Sequence, residues 1–232
     1  HSHSHSHSHS HSHSHSHFRA HGYRVTGAGK IYHSQGGRSS EWDAYVKRKA
    51  SKSEGAYEDE AVGALKWAML KGGDDSLNDY HTVSYCIDEL NAAHEKPFFL
   101  ACGLFRPHLP WNVPKKYFDL HPIESIQLPP HDPTDLQDVP PAGVKMARPQ
   151  GDHQSVLEAG AWKRLVRAYL ASISYADAQL GRWLDAVERS SFRDNTIMVL
   201  WGDHGWHLGE KSHWRKFSLW EEATRAPLIW VV

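Results

Sequence analysis

The sequence is poor in cysteine. Two cysteines, Cys86 and Cys102, in 232 residues exclude a disulfide-dense scaffold, and neither has a Cys or His partner at zinc-finger spacing. Long apolar runs are also lacking. The longest candidates, Phe98–Leu104 and Pro227–Val232, have strand length, far short of the roughly 20 residues of a membrane span. Charge of one sign is lacking too. Lys and Arg number 26 against 27 Asp and Glu, a net charge of −1, so no nucleic acid or other polyanionic partner is indicated. The first residues show neither the basic stretch nor the apolar stretch of a signal peptide.

What is present is ordinary for a soluble globular chain: 40% hydrophobic and 23% charged residues, enough for one core. Tryptophan is high at ten, and most of these are expected in the core. Residues 1–17 alternate strictly between His and Ser. Low complexity of this kind is set apart from the fold as a disordered extension, with the folded domain expected over 18–232. Imidazoles at this density also make a loose site for transition metals.

Order is expected from Phe18. Gly22 stops a helix, and a short strand follows through Gly27. Residues 35–55 are polar and irregular. Asn78–His94 places Val83, Ile87 and Leu90 at helical spacing, with Cys86 and Ala93 beside them, and Lys96-Pro97 ends the helix. Phe98–Leu104 is continuously apolar, the pattern of a strand covered on both faces. The proline-rich stretch Pro107–Gly151 reads as a long surface excursion. Ser155-Val156-Leu157-Glu158 fits a capping box opening a helix. That helix carries Leu165, Val166, Tyr169, Ile173, Ala176, Leu180, Leu184 and Val187 on one stripe. Strands follow at Ile197–Trp201 and Pro227–Val232. Helices alternating with buried strands predict an α/β fold. The chain opens in a helix-to-strand connection and stops inside a strand, which predicts a domain incomplete at both ends.

Three segments carry chemistry, and each follows a predicted strand. In open α/β sheets ligands bind at the carboxyl ends of strands. The first runs Gly202-Asp203-His204-Gly205-Trp206-His207-Leu208-Gly209-Glu210 and on to His213-Trp214-Arg215-Lys216. A carboxylate beside an imidazole can hold a divalent cation, and glycines there permit close backbone approach. The second is Gly27-Ala28-Gly29-Lys30-Ile31-Tyr32-His33, whose Gly-x-Gly-Lys lacks the full phosphate-loop spacing. Lysine can stabilise charge on a transferred group, and a histidine near neutral pKa can move a proton. The third is Phe105-Arg106-Pro107-His108-Leu109-Pro110-Trp111, whose prolines stiffen the loop around an imidazole. Trp111 reads equally as a pocket wall or as packing.

These segments together resemble the sulfatases of the alkaline-phosphatase superfamily, nearest their iduronate-2-sulfatase-like branch. The resemblance covers residues 18–232 and implies an alkaline-phosphatase-like mixed sheet flanked by helices on both faces. It implies that Asp203 and His204 bind calcium, with Asp203 the firmer ligand because calcium prefers oxygen. His204 then sits at the edge of the metal and touches the sulfate. It implies that Lys30 and Lys216 contact the sulfate, that His108 contacts the ester oxygen and protonates the leaving alcohol, and that His33 helps release sulfate. The substrate class it implies is a sulfated sugar or similar small ester or glycan. The compartment it implies is periplasmic, secreted or lysosome-like.

Sulfatases use a formylglycine made from Cys or Ser in Cys/Ser-x-Pro/Ala-x-Arg, and the sequence contains no such motif. Cys102-Gly-Leu-Phe-Arg106 has Leu104 at the position that needs Pro or Ala. Cys102 is therefore read as a strand cysteine and Cys86 as packing. Asp74-Asp75 follows the Lys30 segment, where the family's upstream metal carboxylates do not lie, and reads as a turn. The nucleophile and the opposing carboxylates are expected upstream of Phe18. Two other readings stand beside this one: a phosphatase or phosphonate-ester hydrolase of the same superfamily, and an inactive fragment binding metal through its His-Ser repeat.

Overall fold

The computed structural model describes residues 12–33, 39–47 and 55–232. Along the chain run α1 (Ser12–Ala20), β1 (Arg24–Gly29), β2 (Ala44–Lys47), β3 (Ala56–Val62), β4 (Leu65–Leu70), α2 (Asn78–Asn91), β5 (Phe98–Gly103), β6 (Trp111–Pro114) and α3 (Lys115–Asp119). There follow α4 (Pro141–Ala147), α5 (Asp152–Glu158), α6 (Trp162–Arg189), β7 (Met198–Trp201), β8 (His207–Leu208), β9 (Trp214–Arg215), α7 (Glu221–Thr224) and β10 (Leu228–Val231). The chain is mixed α/β, as the alternation predicts. It divides into two compact units, one formed by His1–Gly55, Gly72–His108 and Ile173–Arg193, the other by Ala56–Lys71, Leu109–Ser172 and Asp194–Val232.

The first unit holds a parallel sheet in the order β2-β1-β5. Parallel strands need crossover connections, and α2 lies in the one between β1 and β5 and packs on both. β1 is the centre: Val25 through Gly29 are all buried. β5 differs from its sequence reading. It lies at the sheet edge among the described residues, and Phe98 to Cys102 are half-buried rather than covered on both faces. β2 falls in a stretch read as irregular. The remainder of residues 35–55 lies largely outside the described residues, as do residues 1–11 of the His-Ser repeat. Residues 12–17 of that repeat were expected to be disordered, but here they begin α1. His15 is buried there, bonded to Glu41 at 2.8 Å and stacked on Trp42 at 4.5 Å.

The second unit holds a sheet in the order β3-β4-β6 and two strand pairs, β10-β7 and β8-β9. Pro107–Gly151 is no plain surface excursion. It contains β6, α3 and α4, and Trp111, Val113, Tyr117 and Phe118 are buried. The prolines mark starts of elements: Pro114 precedes α3, and Pro141 opens α4, where its missing N–H costs no helix bond. The capping-box reading also fails. Ser155 lies inside α5, its hydroxyl donating to the Gly151 carbonyl at 3.1 Å. Gly160 at φ +55° separates α5 from α6. The buried stripe of α6 runs through Leu165, Ala168, Ser172, Tyr175 and Gln179, while Ile173 and Leu184 are exposed. The 3.6-residue period was legible, but its phase was drawn by the larger side chains. No helix among the described residues is long and apolar enough to cross a membrane.

Candidate functional site

In the first unit, β1 and β5 end on the same sheet edge because they are parallel. Their last residues, Gly29 and Gly103, stand opposite one another. Gly29 has φ +84°, and a Cβ there would run into the Gly103 carbonyl. The chain then turns, and Lys30 N–H donates to the Gly103 carbonyl at 2.7 Å. Thus the Lys30–His33 segment and the loop leading to His108 leave one edge together. Lys30 is half-buried and His33 exposed. Between them Tyr32 is anchored: its hydroxyl donates to Glu41 at 2.7 Å and accepts from Trp42 Nε1 at 2.6 Å, and burial pushes its pKa up to about 12. In the other loop, His108 N–H donates to the Phe105 carbonyl at 2.9 Å. The Phe105 and Arg106 amides donate to the carboxylate of Asp79, a residue the sequence reading passed over.

In the second unit, β7 ends at Trp201 and the chain enters Gly202-Asp203-His204-Gly205. Gly205 is required here: its N–H donates to Ala223 O at 2.8 Å, and a Cβ would collide with the Glu222 carbonyl. β8 and β9 then form a short antiparallel hairpin, His207 opposite Arg215 and Leu208 opposite Trp214. Its turn uses left-handed backbone at Gly209 (φ +121°), Lys211 (φ +53°) and Ser212 (φ +50°), with Leu208 N–H donating to Glu210 Oε2 at 2.6 Å. Trp162 Nε1 donates to the Leu208 carbonyl at 2.7 Å. Past the hairpin, Ser218 donates to His207 Nε2 at 2.9 Å, so Lys216 lies between two fixed points, Trp214 and Ser218.

The hairpin returns Lys216 to the start of the motif. Its ammonium lies 3.0 Å from His204 Nε2. His204 Nδ1 donates to Gly205 O at 2.7 Å, which leaves the lone pair on Nε2. Asp203 Oδ1 lies 3.8 Å from the same nitrogen. One carboxylate oxygen and one imidazole lone pair therefore converge, with an ammonium beside them. These donors fit part of a divalent-cation site. Among the described residues no group of three or more His, Cys, Asp or Glu is placed to hold a metal. Trp111 is packing: it is fully buried, its ring 6.0 Å from Trp206 and 5.5 Å from Tyr169. Asp74-Asp75 form a short helical turn, as read. Cys102 lies in β5 and Cys86 is buried on α2, both free thiols.

Buried histidines brace this unit. His207 donates to the Glu210 carbonyl at 3.3 Å and His213 to Ala147 at 2.8 Å, and burial lowers both pKa values. His153 is pushed down to about 4 by burial and then by His131. The unfolded chain binds a proton at His153 near pH 6.5, whereas the folded chain resists it until about 4. Stability is therefore expected to fall as pH drops between those values, by up to about 3 kcal/mol from this residue. Urea midpoints across pH 4–7 check this: His153→Gln should flatten the acid limb, and an unchanged limb refutes the assignment.

The family model described as Sulfatase matches residues 11–231. A protein described as a sulfatase from Formosa agariphila is 38% identical over 233 residues, covering 91% of this chain and 45% of that protein. Iduronate 2-sulfatase from Homo sapiens is 36% identical over 147 residues, covering 59% of this chain and 26% of that protein. Among solved structures, the phosphonate monoester hydrolase of Agrobacterium radiobacter superposes with a TM-score of 0.73 at 17% identity, over 93% of this chain and 51% of that one. That likeness is one of fold. The chain thus spans about a quarter to a half of the length of these relatives.

Proposed function

Because the chain belongs to the sulfatase family, we propose that it supplies the Lys30, His33, His108, Asp203, His204 and Lys216 part of a sulfuric ester hydrolase site. What carries the reading is the return of Lys216 to within 3.0 Å of His204 Nε2, with Asp203 3.8 Å from the same atom. An anion-binding ammonium and two cation-binding donors come from one motif. A sulfate monoester is an anion whose oxygens carry negative charge throughout transfer, and that charge gains from both.

In this reading Lys216 and Lys30 hold the non-bridging sulfate oxygens and oppose the charge that builds on them. His108, on the loop beside Lys30, gives a proton to the departing ester oxygen, and His33 moves a proton as sulfate is released. Asp203 and His204 hold the cation, with calcium the proposed ion because a carboxylate oxygen leads the donor set. The cation, when bound, polarises the sulfate oxygens. Formylglycine is the family's source of the attacking oxygen, and this sequence has no Cys/Ser-x-Pro/Ala-x-Arg to form it. The substrate class is a sulfated sugar or similar ester, in a periplasmic, secreted or lysosome-like compartment.

The 232-residue chain by itself is expected to give no turnover of 4-nitrophenyl sulfate above background. Robust hydrolysis by that chain would overturn the reading of its site as lacking a nucleophile. Calorimetry then tests substrate class: the chain should bind inorganic sulfate, and mutation of Lys216 should weaken that binding. A preference for methylphosphonate over sulfate would favour the phosphonate-ester reading. Metal retention that depends only on residues 1–17 would favour the inactive metal-binding one.

A further inference from the structure

We infer that Asp79 is a positioning residue for His108, its buried carboxylate fixing the backbone that presents the imidazole. The inference rests on the reading above for what His108 does, and on geometry alone for how it is held. Asp79 is 3% exposed and lies in the first turn of α2. Its two oxygens are used separately: Oδ1 accepts from Phe105 N–H at 2.9 Å and Oδ2 from Arg106 N–H at 2.8 Å. The carbonyl of Phe105 in turn accepts from His108 N–H at 2.9 Å, and the Phe105 and His108 rings are 4.9 Å apart. One carboxylate therefore grips both amides at the start of the turn that ends on His108.

A buried carboxylate is tolerated where charge-assisted hydrogen bonds replace its water. Two backbone amides and the positive end of α2 supply that compensation. The helix end is itself held. Arg182 donates to Tyr80 O at 3.3 Å and to Ser84 Oγ at 2.9 Å, and its guanidinium lies 3.8 Å from the centroid of the Tyr80 ring. Asp79 thus sits on a helix end that a side chain of α6 also holds. Asn in its place keeps the shape but offers one acceptor where two are used, and turns an N–H₂ toward an N–H.

The test uses the full 232-residue chain and reads His108 directly. Wild type, Asp79→Asn, Asp79→Glu and Ser84→Ala are compared by imidazole NMR and amide hydrogen exchange. Ser84→Ala removes one of the two Arg182 bonds to α2 and leaves the Asp79 carboxylate and its two amide partners in place. In Asp79→Asn, exchange at Phe105 and Arg106 should quicken roughly ten- to a hundredfold, and the His108 ring signals should broaden or split. Asp79→Glu should recover part of the protection, and Ser84→Ala should leave His108 unchanged. An unaltered His108 in a folded Asp79→Asn chain refutes the proposal. So does equal disturbance by Ser84→Ala, which makes the effect general loosening. A sulfate titration of wild type separates the two readings. His108 signals that ignore sulfate, in a chain where Asp79→Asn still disorders them, count against the sulfate site and uphold the anchor.

Discussion

Gly205→Ala should cost the second unit about 3–4 kcal/mol, as overpacking against backbone plus one lost hydrogen bond. The added methyl meets the Glu222 carbonyl well inside van der Waals contact and lies 2.8 Å from the Arg225 carbonyl. Both obstacles are main chain at α7, so no rotamer change relieves them. Separation of the two segments also breaks the bond from Gly205 N–H to Ala223 O. The same bond-and-contact set fixes the loop holding Asp203 and His204, so divalent binding should weaken along with stability. Gly202→Ala is the control. Its nearest neighbours, Pro227 Cδ at 3.1 Å and Ala226 Cβ at 3.4 Å, are close contacts and not overlaps, so a small shift of the chain relieves them. That variant should lose less than about 1.5 kcal/mol. Chemical denaturation of both variants checks the difference, and equal losses would show that α7 is not packed on Gly205.

Lys216→Met should move cation and anion affinities in opposite directions. In the present structure the ammonium donates to His204 Nε2 at 3.0 Å, the lone pair a metal would use. A divalent cation about 4 Å from a unit positive charge is repelled by about 2 kcal/mol even at the dielectric of water. Removing the charge should therefore tighten calcium binding roughly tenfold or more when sulfate is absent. The absolute affinity stays low in the 232-residue chain, because Asp203 and His204 supply only two donors where calcium takes about six to eight. Sulfate binding should weaken roughly tenfold in the same variant, since its counter-charge is gone. Titration calorimetry with calcium chloride, then with sodium sulfate, reads both. Two affinities falling together would mean that Lys216 only supports the hairpin. Methionine keeps the length of the side-chain stem, so packing is nearly conserved and the charge is what changes.

The strand-end placement of the candidate site residues was legible because they sit where local pattern speaks. Lys30, His33, His108 and Asp203-His204 each follow a run that reads as a strand, and each does follow β1, β5 or β7. Turn-forming glycines beside them are a local signal too. Family membership was legible from the same strings. Asp79 was not, because nothing in Asn78-Asp79-Tyr80 separates a first-turn carboxylate that faces solvent from one that binds a loop 26 residues on. His15 was hidden for a related reason. A repeat of His and Ser carries no apolar period, yet one imidazole finds Glu41 and Trp42 across the fold.

The sequence by itself determined the alternation of helix and strand, the chemistry-bearing residue types, and their placement at strand ends. These depend on neighbours within a few residues, which set backbone preference and the period of burial. Only the tertiary structure decided that β1 and not β5 is the buried centre, that Trp111 is packing, and that α6 buries Ser172 and Gln179 in place of Ile173 and Leu184. It also decided that Lys216 returns to His204 through the β8–β9 hairpin. Strand partners and buried polar bonds are non-local. They are chosen by which surfaces can exclude water together, a choice that no single stretch of sequence records.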